Sequence, residues 1–163
     1  KYSFYYYMAL NAAPLPTNVV YFLGTKRILT SKIDNTGGNF YPGDGIANKA
    51  YFQAPATGIY FIGGQCYLDA YYGYPSGTEA LITFGIERIS DTYLFAGTGL
   101  GETLPGNTVG WGYTGNQSAG GSGIVYLTIG DKVQWLIGNR YRDPSLTQFN
   151  LFAKTYVYGY QIA

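Results

Sequence analysis

Short runs of β-branched and aromatic residues recur along the chain, and clusters of Gly, Pro, Asn and Asp stand between them. No stretch carries apolar residues at a sustained 3.6-residue spacing behind a capping residue, so the pattern predicts no helix. It predicts strands over residues 3–10, 19–23, 26–33, 50–53, 58–69, 79–89, 123–128, 132–138 and 148–161. Turn signals separate them at Pro14-Leu15-Pro16, Asp34-Asn35-Thr36-Gly37-Gly38, Pro42-Gly43-Asp44-Gly45, Pro75-Ser76-Gly77 and Gly130-Asp131. Residues 97–123, rich in Gly, Asn, Thr and Ser around Trp111, read as a long loop with room for one short strand. Long loops on a rigid scaffold are where recognition residues tend to sit. About nine strands and no helix suit an all-β, two-sheet antiparallel jelly-roll sandwich. With no repeat, linker or composition break, residues 1–163 read as a single domain.

Composition adds a second expectation. Charged residues make up 12% of the 163 positions, against about 25% in an ordinary soluble domain. Aromatic residues reach 18%, and Tyr alone occupies 19 positions. So little charge beside so much Tyr implies that part of the surface is covered, most simply by a partner subunit. The alternative is that Tyr merely replaces Phe and Ile on strands, where it packs well. The net charge of +1 comes from ten basic and nine acidic residues without a basic patch, which argues against a nucleic-acid partner. The longest apolar runs, 18–24 and 123–129, fall far short of a membrane span. The first eight residues lack the apolar core and cleavage site of a signal peptide, as expected of a mature or excised piece.

The side-chain inventory narrows the chemistry. The chain has no histidine, which removes imidazole acid–base catalysis, Ser-His-Asp and Cys-His nucleophiles, and most zinc and iron sites. Its one cysteine, Cys66, sits in a predicted strand and reads as a buried apolar residue. Glu79 and Glu87 on one continuous strand would stand roughly 27 Å apart, too far for a two-carboxylate glycosidase. Gly97-Thr98-Gly99-Leu100-Gly101 leads into no helix and cradles no phosphate. Calcium needs only oxygen ligands, and Asp34 with Asn35, Asp44 and Asp143 could each offer some. No loop spaces three acidic residues, however, and these side chains read better as turn formers. No cofactor is therefore expected. Asn116-Gln117-Ser118 has the form of a glycosylation acceptor.

Two segments go beyond generic β pattern. Tyr51-Phe52-Gln53-Ala54-Pro55-Ala56-Thr57-Gly58-Ile59-Tyr60-Phe61 reads as strand, tight turn, strand, with Pro55 presetting φ and Gly58 free to take a positive φ. The run from Gly123 to Trp135 places Gly130-Asp131 between alternating apolar stretches, as a short hairpin does. In this order the two segments resemble the C1q globular domain family, with its patterns F-x-A-P-x-x-G-x-Y-x-F and, later, L-x-x-G-D-x-V. Residues 35–41 resemble the N-x-G-x-x-Y segment that precedes the first pattern. Val157-Tyr158-Gly159-Tyr160-Gln161-Ile162 resembles the family's closing strand. Residues 42–49 exceed the short link usual before the first pattern.

The resemblance implies a C1q/TNF-like jelly roll of about ten strands, a tight trimer, and ligand recognition by outward loops. Such heads commonly sit on a fibre or stalk, in extracellular, cell-surface or virion settings. The chain has no Gly-X-Y tract of its own. On this reading it is a non-catalytic homotrimeric head that binds a glycan or protein through aromatic stacking and hydrogen bonds. The candidate contact residues are the turn cluster Tyr71, Tyr72 and Tyr74, then Trp111 and Tyr113 with Asn116, and Arg140, Tyr141, Arg142 and Asp143. Each of these could equally be a loop residue or a subunit-seam tyrosine. The alternative is a structural virion or appendage component, a fibre or capsid protein acting mainly through subunit contacts. A TNF-like cytokine fits the two C1q-type segments less well, and an enzyme fits least.

Overall fold

The computed structural model describes residues 1–10, 15–16, 20–69, 78–98, 108–112, 116–141, 148–151 and 154–163. Among them there are fourteen strand segments and no helix. In chain order they are β1 (Ser3–Tyr7), β2 (Leu15–Pro16), β3 (Val20–Phe22), β4 (Thr30–Asp34), β5 (Phe40–Tyr41), β6 (Tyr51–Gln53) and β7 (Gly58–Asp69). These are followed by β8 (Thr78–Arg88), β9 (Tyr93–Thr98), β10 (Thr108–Gly112), β11 (Asn116–Leu127), β12 (Lys132–Tyr141), β13 (Gln148–Leu151) and β14 (Tyr156–Gln161). Ten of them are four residues or longer.

The strands form two antiparallel sheets. In sheet I, β7 is the spine: β11 runs along one edge for its whole length, and β14 and then β13 share the other. Beyond β14 lie β1 and β4, and β2 pairs with β13. In sheet II, β12 lies beside β8 on one edge, with β6 and β3 end to end on the other. β5 extends the sheet beyond β6, and β9 and β10 share the far edge of β8.

Period-two alternation decides which side chains meet between the sheets. Phe4 and Tyr6 of β1, Tyr60, Ile62 and Cys66 of β7, and Val125 and Leu127 of β11 point inward from sheet I. Phe52 of β6, Phe84 and Ile86 of β8, and Val133, Trp135 and Ile137 of β12 point inward from sheet II. An aromatic cluster lies between them. The Phe4 ring is 4.8 Å from Phe52 and 4.9 Å from Phe40, and Tyr6 stacks on Phe40 at 3.8 Å. Such pairs contribute about 0.5–1.5 kcal/mol each beyond their buried area. Trp135 is fully buried, and its indole N–H finds no acceptor.

The sequence expectations hold for the fold and differ in detail. The segment 97–123 is not one long loop: it contains β10 and the first half of β11, whose Gly- and Ser-rich stretch pairs with β7 from Asn116↔Asp69 onward. Pairing overrode local pattern there, and Gly120 serves close approach, since a Cβ on it would lie 2.7 Å from the Gly64 carbonyl oxygen. The stretch 148–161 splits where Lys154 takes a φ of 86°. The backbone of Lys154 and Thr155 then bonds Met8, while the Thr155 hydroxyl accepts the Tyr67 N–H. Pro14-Leu15-Pro16 supplies a two-residue strand rather than only a turn. Gly58 does not adopt positive φ; it is glycine because a Cβ would overlap the Ala163 carbonyl oxygen. Residues 26–29 are not strand, because they turn toward the insert 42–49, where Leu29 N–H donates to the Pro42 carbonyl at 3.0 Å.

Candidate functional site

Six of the proposed contact residues, Tyr71, Tyr72, Tyr74, Tyr113, Arg142 and Asp143, lie outside the described residues. The backbone places three of the others at one end of sheet II. Trp111 of β10 is paired with Glu79 of β8, and on the other edge of β8 Arg140 and Tyr141 of β12 are paired with Leu81 and Ala80. Asn116 opens β11 opposite Asp69, the last residue of β7. The sequence alone does not bring these four positions, spread over 111–141, to neighbouring strand ends.

The largest feature is one that pattern reasoning did not locate, the outward face of sheet I. Tyr5 and Tyr7 of β1 point out, as do Tyr156, Tyr158 and Tyr160 of β14. β7 adds Ile59 and Phe61, and β11 adds Ile124 and Tyr126, which are 66% and 58% exposed. Tyr5 and Tyr156 stack at 5.5 Å, and Phe61 meets Tyr160 at 5.4 Å. Tyr158 lies across Gly63, where a Cβ would stand 2.5 Å from the ring. The remaining outward positions on these four strands whose side chains are described carry Ser, Gly, Gln and Tyr. Lys32 at the β4 edge holds its ammonium 5.7 Å above the Tyr5 ring. A contiguous, charge-poor aromatic surface of this kind marks an interaction site. The signal for it in the sequence is Tyr at both parities of β1, and Tyr156, Tyr158 and Tyr160 alternating with Val157 and Gly159 in β14, which reads as strands apolar on both faces.

Sheet II is different. Its outward face carries Lys132, Gln134 and Glu87, and beside it the insert 42–49 stands as a wall. Between insert and sheet runs a groove of about 550 Å³, lined by Tyr41, Tyr51, Lys49, Asn48, Lys132 and Gln134 together with Ala47 and Ile89. Asp44 organises the wall. Its Oδ1 accepts the N–H groups of Ile46, Ala47 and Asn48 at 2.8, 2.8 and 2.9 Å, and its Oδ2 accepts the Asn48 amide at 2.6 Å. These backbone donors hold the carboxyl down at about 2.

Asp34 and Asp131 are also occupied. Asp34 accepts from Tyr6 at 2.6 Å and from the Thr36 N–H at 2.9 Å. Burial works to raise its carboxyl, but the bonds from Thr36 and Tyr6 outweigh it and keep the group below its ordinary value. Burial and the Asp34 partner push the Tyr6 hydroxyl up to about 12. Asp131 closes the β11–β12 turn on Thr128. Among the described residues no three His, Cys, Asp or Glu side chains gather where they could hold a metal ion. Cys66 is fully buried, and burial pushes its thiol up to about 12, so it behaves as a core residue. No helix among the described residues is long and apolar enough to cross a membrane.

Strand order and pairing define a class: this is an all-β jelly roll with the C1q/TNF-like fold. The chain superposes over its whole length on the globular domain of zebrafish complement 1qA, with a TM-score of 0.52 at 13% identity and 98% of that chain covered. It matches Eiger TNF of S. frugiperda with a TM-score of 0.52 at 12% identity, covering 99% of this chain and 92% of that one. Murine APRIL gives a TM-score of 0.50 at 12% identity, covering 99% of this chain and all of that one. No family model matches the sequence, and no curated protein matches it by sequence.

Proposed function

We propose that the chain is a non-catalytic recognition head, folded as one domain, that assembles as a homotrimer through the outward face of sheet I. The observation that carries this reading is the aromatic, charge-poor character of that face beside the charged face of sheet II. Covering Ile124, Tyr126, Tyr160, Ile33 and Ile59 removes the most exposed large apolar side chains of the sheet from water. Three copies, rather than two, follows from the resemblance to C1q-type heads. The absence of histidine and the inert Cys66 support a binding role over catalysis. The ligand is a glycan or protein, met by the loops beyond the strand ends that carry Trp111, Asn116, Arg140 and Tyr141. The setting is extracellular, on a fibre or on a cell or virion surface.

Light scattering tests the assembly. The purified chain is expected at three times 17.8 kDa. Ile124→Glu with Tyr126→Glu should give a monomer with an unchanged far-UV circular dichroism spectrum, because both side chains are exposed in the protomer. A wild-type chain that stays monomeric overturns the reading. The same aromatic face equally supports a structural virion or appendage component, and a trimer that binds no glycan and no protein favours that role.

A further inference from the structure

The insert that exceeds the usual link before the first motif has no part in the sheet I face; it builds the groove on the opposite side of the sandwich. Three observations bear on what this groove holds. The first is a platform: Tyr41 of β5 and Tyr51 of β6 are cross-strand partners whose rings stack at 5.3 Å, 28° from parallel. The second is charge. The Lys132 ammonium is held 4.7 Å over the Tyr51 ring and that of Lys49 3.5 Å over Phe22, and neither makes an ion pair among the described residues. Asp44, the acid nearest in sequence to the wall, spends its oxygens on the wall's own donors, while Glu87 stands beside Gln134 outside the lining. The third is Gln134, which lines the groove and whose side-chain amide has no partner among the described residues.

A stacked tyrosine platform accepts the apolar face of a pyranose ring, ammonium groups accept a carboxylate, and side-chain amides accept and donate to hydroxyls. We propose that the groove between the insert and sheet II binds an acidic saccharide, a pyranose unit bearing a carboxylate. The carboxylate lies between Lys49 and Lys132, the ring rests on the free face of Tyr41, and Gln134 with the Asn48 side-chain amide oxygen reads hydroxyls. This deepens the recognition-head reading and rests on it for biological purpose, but the site lies on the sheet opposite the aromatic face.

Titration of the isotope-labelled chain with sialyllactose and with trigalacturonate, against lactose and galactobiose, tests it. The acidic sugars should shift the amide signals of Tyr41, Lys132 and Gln134, and the neutral ones should not. Lys132→Gln and Tyr41→Ala should each weaken binding by about tenfold or more, while Lys32→Gln, on the other sheet, leaves it unchanged. Failure of both acidic sugars to bind the folded chain overturns the proposal, as does binding that Lys132→Gln leaves intact. In the latter case the recognition reading stands with its site elsewhere. The scattering mass decides assembly separately, and the Ile124→Glu/Tyr126→Glu monomer should bind the sugars as the wild type does.

Discussion

At the scale of single residues, glycine positions are the least forgiving. Gly24 takes a φ of +92°, and a Cβ there would overlap the backbone nitrogen of Ala50. Its partner across the contact is Gly43, also at positive φ, so two bare backbones touch where the β3–β4 turn meets the insert. A left-handed non-glycine residue costs about 1–3 kcal/mol, and overpacking adds about 1–3 kcal/mol more. Against a total stability of about 5–15 kcal/mol, Gly24→Ala should lower the urea midpoint sharply; an unchanged midpoint would show that the turn simply opens. Gly24 drew no notice in the sequence, because what demands glycine there is a segment some twenty positions downstream. Gly130 was legible, since its neighbours alone set a tight hairpin, and it does take a φ of +91°.

At the scale of elements, the insert 42–49 behaves as a built part rather than slack chain. Gly45 donates to the Gly24 carbonyl at 2.8 Å, Ala50 donates to Leu23 at 2.6 Å, and Asp44 gathers three backbone amides from inside. Because the Asp44 carboxyl is depressed from 3.8 to about 2, its contribution is fully present above the ordinary aspartate value and fades as pH falls through about 2. The stability difference between wild type and Asp44→Ala should therefore be constant from neutral pH down to mildly acidic pH and shrink below it, as followed by urea unfolding. A difference that grows with acid would contradict this assignment. The turn-forming reading of Asp44 and Asp34 was available from residue type and spacing. The strand at Asn116–Ser122 was not, because its polar, glycine-rich pattern becomes β only beside β7.

At the scale of the whole molecule, the two faces of the sandwich should answer differently to salt. The sheet I face is aromatic and carries its described charge only at the β4 edge, so the assembled mass should hold from about 50 mM to about 1 M sodium chloride, whereas acidic-sugar binding in the groove should weaken over that range. Dissociation at high salt, seen by light scattering, would mean that charges outside the described face carry the assembly. The paired motifs around Pro55 and Gly130-Asp131, the repeated strand signals and the missing histidine made the jelly roll and the lack of imidazole chemistry legible without coordinates. Tyr abundance likewise foreshadowed an exposed aromatic face.

Which surface that is could not be read from composition. Alternation states that a strand has two faces, but not which face a second sheet covers. Tyr6 is buried against Phe40 while its neighbours Tyr5 and Tyr7 face outward, and residue type is the same in all three. The groove is further removed still, because Tyr41, Lys49, Lys132 and Gln134 come from β5, the insert and β12. Local chemistry along the chain specifies strands, turns and the lack of imidazole. Which side chains become neighbours follows from sheet pairing and sheet packing, long-range contacts that only the folded chain makes.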